Sequence, residues 1–344
     1  MFSPGARILL FFLKLAVSIA LVGWIIRDVD FSEVARVLQG SSVPVLVFAF
    51  GLYFIGYLLT AIRWRLLISI HGVRPPLLVL VQSFMVGIFF NNFLPSTIGG
   101  DVSRMYDVWR IAKDKSSAVS VVLVDRFLGV MALILWATVA LLVSPEIRSL
   151  STVYIPVLAV LGAAVAVAMF IFGRPRPLVA GLMSGLRHMA SRAPSFAGRP
   201  IAKILNAFGP YYSHNAILIK ALLVSLLLQL NVIIHFWLVT VALGIDVSFL
   251  AVCVIIPCVL MITMLPISIN AIGVREVSFV YFMGLFGVSD ENALVFAWVA
   301  FTFVIAQGLL GGIVFALRHA PPDLSQQGQP ARNIPGPIIS RHRR

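Results

Sequence analysis

The stretch Phe89-Phe-Asn-Asn-Phe-Leu-Pro-Ser-Thr-Ile-Gly-Gly-Asp-Val-Ser-Arg104 starts inside an apolar run and then breaks it. Two amides, a proline, two hydroxyls, two glycines, an aspartate and an arginine stand where a membrane helix would otherwise continue. A second stretch, Leu265-Pro-Ile-Ser-Ile-Asn-Ala-Ile-Gly-Val-Arg-Glu276, repeats the wording: Leu-Pro, then Ser and Ile, then Gly, then Arg. Interrupted backbone at bilayer depth survives only beside protein or water, because an unsatisfied polar group in hydrocarbon costs several kcal/mol. The pair therefore reads as two broken helices that turn inward and line a polar space within a membrane protein.

Composition sets the frame for that reading. Hydrophobic residues make up 60% of the 344, and charged residues only 11%. The mean hydropathy is +1.02. A soluble domain carries about a quarter charged residues, and this chain holds several apolar runs of about 20 residues, the length of a membrane span. The net charge of +13 sits in short loops between those runs, the pattern of topology signals and of contact with anionic headgroups. No basic patch with interleaved aromatics lies outside them, so nucleic acid is not an expected partner. Cys253 and Cys258 share one apolar run, which supports neither a disulfide framework nor a zinc site. No metal or cofactor is expected.

Outward from the two breaks, the remaining runs read as spans: Ile8 to Ile26, Pro44 to Ile62, Ser120 to Val143, Val153 to Gly173, Ile217 to Leu243 and Ala293 to Leu317. Lys14 lies in the first and snorkels. Asp30-Phe-Ser-Glu33 suggests a short capped surface helix. Arg63-Trp-Arg65 reads as an interface anchor. Asp125 and Arg126 are adjacent on a helix, so they either reach different partners or lie just at the interface. Asn231 and His235 share a face, and hydrogen bonds between helices suit them better than a metal. Residues 174–215 form a basic amphipathic surface connector. The membrane domain covers 1–318, and the Pro/Gln/Arg-rich residues 319–344 read as a disordered cytoplasmic tail.

Charge then orders the runs. Eight crossings would place the loop with Arg63, Arg65 and Arg74 opposite the loop with Arg104, Arg110, Lys113 and Lys115. If the two broken runs enter and leave on one face, six full spans remain. Only Arg27, Arg36 and Arg148 then fall on the outer side, with both termini cytoplasmic. The expected fold is all-α: a polytopic helical membrane protein of about six spans plus two re-entrant broken helices. Breaks entering from opposite faces suggest an inverted repeat, the arrangement around which transporters build substrate sites.

At these residues the sequence resembles a known family. Asn91-Asn-Phe-Leu-Pro-Ser with Gly99-Gly-Asp and Arg104 is similar to its first signature. Asp125-Arg126 matches an acid-arginine pair at the start of its next helix. Leu265-Pro with Gly273-Val-Arg-Glu276 resembles its C-terminal signature, and Arg63-Trp is typical. The family is the lysylphosphatidylglycerol synthase transmembrane, or flippase-like, membrane proteins, and the resemblance covers about Ile8 to Arg318. It implies lipid handling in the cell inner (plasma) membrane: flippase-like transport, between leaflets, of a polar or charged-headgroup lipid. The lipid would be an anionic or aminoacylated phospholipid or a lipid-linked sugar. The chain ends soon after its last span, so the soluble synthase domain of the larger members is expected to be missing and the chain is not expected to be an enzyme. An accessory subunit working with a soluble synthase, or a lipid-modifying transferase, are the alternatives.

A translocator must carry a headgroup through about 30 Å of hydrocarbon, and intramembrane charges are costly and usually functional. Arg104, Arg126 and Arg275 are the candidates for a phosphate, which guanidinium matches bidentately. Asp101, Asp125 and Glu276 would hold those arginines or meet a cationic head. Asn91, Asn92, Ser268 and Asn270 would add neutral hydrogen bonds, while Gly99, Gly100 and Gly273 would let backbone approach the headgroup. The competing reading is that the charges are salt bridges locking two hairpins.

Overall fold

A computed structural model describes residues 31–93, 99–112, 114–143, 211, 214–265 and 267–318. The first and fifth expected spans, nearly all of the connector and the tail lie outside the described residues. Among the described residues the chain is helical: α1 (Phe31–Gln39), α2 (Val43–Ser69), α3 (Leu77–Phe93), α4 (Gly99–Ala112), α5 (Lys115–Val143), α6 (Asn215–Ala242), α7 (Phe249–Thr263), α8 (Val274–Gly284) and α9 (Asp290–Leu317). Among the described residues four helices are long and apolar enough to cross a bilayer: α2, α5 from Ser117, α6 and α9. The apolar α3 and α7 are shorter, and they fall at the two breaks. The fold is that of a polytopic helical membrane protein.

Helix ends follow local chemistry. Ser42 precedes α2 with Pro44 in its first turn, where a missing N–H costs nothing. Ser248 caps α7, its Oγ accepting from Ala251 N at 3.1 Å, and Ser289 does the same for α9 through Asn292 N. The Gly72 turn after α2 and the Gly287 turn before α9 use positive φ.

In lipid, helices associate through close packing and interhelical hydrogen bonds rather than hydrophobic burial, and both appear here. The α2–α6 contact runs antiparallel. Asn231 Nδ2 donates to Leu52 O at 3.1 Å, and His235 Nδ1 meets Ala49 O at 2.8 Å. These are the interhelical bonds expected of that pair. The α3–α9 contact is antiparallel too and uses small residues. A Cβ on Gly311 would lie 2.2 Å from Met85 O, and one on Gly312 would lie 3.0 Å from the Phe89 ring. Outward stripes such as Ile219, Leu223 and Leu227 on α6 stay exposed, at the spacing of a lipid-facing surface.

At each break the chain doubles back. Helix α3 packs on α4, and α7 packs on α8. Two apolar clusters hold these hairpins. One joins the far half of α2 to α4, α5 and the start of α6. The other joins the end of α6 to α7, α8 and the start of α9.

Candidate functional site

The first hairpin closes by a local code. A Cβ on Gly100 would meet Gly87 O at 2.1 Å and the Asn91 side chain at 2.6 Å, so only glycine lets α4 start against α3. Asn91 Oδ1 accepts the Gly100 N–H at 2.8 Å, satisfying one of the free donors at a helix start. One turn further along, Arg104 lays its stem on Gly87, where a Cβ would lie 3.1 Å from the arginine Cγ. Asn92 reaches the other way, donating to Val304 O on α9 at 2.6 Å. Both amides thus fasten the hairpin.

Arg104 is 5% exposed. Its guanidinium lies over the rings of Trp64 and Phe84, at 5.3 and 5.1 Å from their centroids, where cation–π attraction offsets part of the lost hydration. It bonds Asp101 Oδ1 at 3.0 Å and stands 4.0 Å from Asp125 Oδ2. Asp125 is also buried, and its Oδ1 lies 2.6 Å from Arg63 Nε. That contact is off the N–H axis, an ionic contact rather than a directed hydrogen bond. Arg63 Nη1 donates to Ser225 Oγ on α6 at 3.0 Å. Asp101 Oδ1 also accepts from Arg126 Nη2 at 2.7 Å. Asp125 and Arg126 therefore serve different partners, as their adjacency on a helix requires.

The result is a chain of charge, Arg63–Asp125–Arg104–Asp101–Arg126, drawn from α2, α4 and α5. Three guanidiniums meet two carboxylates, so one positive charge is left over. It has an outlet: the Arg126 side chain is 40% exposed, against 6% for Arg63 and Arg104.

The second hairpin is built differently. Asn270 and Ala271 take φ of 49° and 57°, and Gly273 takes 82°. Left-handed backbone outside glycine costs on the order of 1–3 kcal/mol per residue, and here it turns the chain straight into α8. Glu276 reaches back to the Gly273 N–H at 2.6 Å, the carboxylate half of a capping box. Its other oxygen lies 3.2 Å from Arg275 Nη2. Arg275 lies over the Phe301 ring of α9 at 4.3 Å. Ser268 is buried, and its Oγ has no hydrogen-bond partner among the described residues. Asn270 is half-buried.

The structure thus joins Asp101, Arg104, Asp125 and Arg126 in one network and leaves Arg275 and Glu276 as a separate pair. An aromatic and amide column leads from the network to α9: Phe84 beside Arg104, Tyr57 at 5.7 Å from that ring, and the Tyr57 hydroxyl donating to Gln307 at 2.8 Å.

Sequence reasoning misplaced Arg63 and Trp64. They are not interface anchors: they are 5% and 1% exposed, because α2 runs on to Ser69. The signal was present in Leu66-Leu67-Ile68, which continues the apolar run beyond them. Arg65 fits the interface and is exposed. A further buried charge also went unread. Asp107 Oδ2 accepts from Arg318 Nη1 at 2.8 Å and from Ser83 Oγ at 2.5 Å, clasping the end of α9 to the first hairpin.

Long apolar spans, two hairpins of shorter helices and a buried charge network define a polytopic helical membrane protein. Residues 11–311 match the family model described as the lysylphosphatidylglycerol synthase TM region, and the chain belongs to that family. A UPF0104 membrane protein of Methanothermobacter thermautotrophicus is 34% identical over 99 residues, covering 29% of this chain and 27% of the relative. The chain thus matches about a quarter of that relative's length. No solved structure matches the chain significantly.

Proposed function

We propose that this protein moves a lipid headgroup across the bilayer, with Arg126 as the residue that meets the headgroup phosphate. The observation that carries the reading is the charge network of the first hairpin. It keeps five ionised groups inside a membrane protein and presents one incompletely neutralised guanidinium to the outside. A surplus cation beside a re-entrant hairpin is suited to an anion. Asp101 holds Arg126 in place and gives it up when phosphate competes. Membership of a family named for lysylphosphatidylglycerol supports a phospholipid as cargo, and transport rather than catalysis is the activity assigned. The protein would sit in the plasma membrane with both termini cytoplasmic, and the two hairpins would enter from opposite faces as an inverted pair.

The test is headgroup movement in reconstituted vesicles, read by protection of a labelled phospholipid from an impermeant quencher. Arg126→Gln is expected to slow movement about tenfold, the loss of one charge-assisted contact. An unchanged rate removes the site. Topology is checked by labelling cysteines placed at Gly72 and Lys115, which are expected to react from the same face. Reaction from opposite faces removes the first re-entrant hairpin.

A further inference from the structure

A second basic feature lies outside the charge network. Ile62, Arg65, Leu66 and Ser69 are spaced i, i+3, i+4 and i+7, so they share one face of α2. Together with Arg74 and Leu77, across the Gly72 turn, they line a cleft of about 330 Å³. A neighbouring hollow of about 310 Å³ shares Ser69 and Arg74 and continues over Gly72 and Val73. Arg65 and Arg74 are exposed, and neither has a carboxylate partner among the described residues. Ser69 spends its hydroxyl proton on Leu66 O at 2.7 Å, which leaves the two guanidiniums as the free side-chain donors among the described residues of the cleft.

We infer that this cleft binds the phosphate of an anionic phospholipid between Arg65 and Arg74, with an acyl chain laid along Ile62, Leu66 and Leu77. Two features select a lipid over a soluble anion. The apolar wall continues down a helix long enough to span the membrane, and Leu78, next in the chain to the lining Leu77, is 68% exposed. A soluble phosphate would use the guanidiniums and leave that wall idle. An acidic peptide would match the charge but not an apolar surface running below the interface. The volume equals roughly ten water molecules, room for a phosphate and its glycerol. The site does not depend on the transport reading. Arg65 points away from the buried network that its neighbour Arg63 enters, as residues two apart on a helix do.

The experiment measures thermal unfolding of the protein reconstituted in phosphatidylcholine vesicles, with and without phosphatidic acid as about a quarter of the lipid. Phosphatidic acid is expected to raise the midpoint for the native sequence. The R65Q/R74Q variant is expected to lose most of that rise, whereas the charge-matched R110Q/K220Q variant keeps it. If R65Q/R74Q is already unstable in pure phosphatidylcholine, R74Q alone, altered at an exposed turn residue, is read instead and is expected to weaken the response about tenfold in apparent affinity. An undiminished rise in R65Q/R74Q, or in R74Q where that is the variant read, overturns the site. An equal loss in R110Q/K220Q overturns it in favour of diffuse attraction. A matching rise from inorganic phosphate in phosphatidylcholine vesicles overturns the lipid and leaves an anion site.

Discussion

The two broken helices share sequence wording but not construction. The first is a crossroads: its two aspartates and three arginines are divided among α2, α4 and α5, and its charge does not balance. The second is self-contained. One arginine and the glutamate next to it neutralise each other, cap their own helix and rest on one ring of α9. Equal motifs thus give one hairpin whose chemistry is shared out and one whose chemistry is closed. The lesson is that a motif fixes where the backbone turns, while the neighbouring helices decide whether its charges are spare.

The sharpest way to break that contrast is to remove one carboxylate from each side. Asp125→Ala strands the buried Arg63 and leaves Arg104 to Asp101 alone, and is expected to cost about 3–5 kcal/mol, the range for a broken buried pair. Glu276→Ala leaves Arg275 on Phe301 and is expected to cost about 1–3 kcal/mol for a cap and a single contact. Unfolding in detergent micelles measures both, and equal costs would erase the distinction.

Glycines come next. Gly100→Ala drives a Cβ into Gly87 O and is expected to lose about 1–3 kcal/mol by overpacking, together with most transport if the proposed translocation uses this hairpin. Gly273→Ala puts a side chain at a φ of 82° that L residues rarely adopt, is expected to cost on the order of 1–3 kcal/mol, and is expected to keep transport. A third comparison separates function from scaffold. Arg126→Gln is expected to slow lipid movement while changing stability by under about 0.5 kcal/mol, because its side chain is partly exposed and Asp101 keeps its bond to Arg104. Arg275→Gln is expected to do the reverse. A fall in transport from Arg275→Gln without any fall in stability would move the headgroup to the second hairpin.

The smallest effect concerns pH at the edge of the first hairpin. His71 Nδ1 stands 2.8 Å from Ser117 Oγ. Burial holds the imidazole below its usual range, with Asp114 opposing and His214 adding to the shift. A lowered folded-state value means the neutral ring is preferred in the fold. Its contribution is therefore complete above about pH 6.5 and fades as pH falls below it. Stability measured from pH 7 to 5 should decline less steeply in His71→Gln than in the native sequence.

Much of this was legible beforehand, and for physical reasons. Bilayer thickness makes spans readable from apolar length, so α2, α5, α6 and α9 were evident. The cost of open backbone in lipid made both breaks evident, from Pro95 and Pro266 and from the polar residues around them. The split partners of Asp125 and Arg126 followed from helix geometry. Arg63 was not legible as a network member, because Arg beside Trp at the end of an apolar run looks the same whether the helix stops or continues. Asp107 and Arg318 were not legible as partners, since more than 200 residues separate them and no local rule joins distant charges. The amide roles of Asn91 and Asn92 were equally hidden: each serves a contact that exists only once α4 or α9 has docked.

The clasp of Asp107 by Ser83 and Arg318 carries a consequence for motion. It rivets the exit of the final crossing to the returning limb of the first hairpin, so neither can swing without the other. A rocking step that opens the first hairpin must therefore tow the carboxyl-terminal end of α9 with it. Cutting the chain back before Arg318 would free the hairpin from that tether, whatever becomes of the residues that follow.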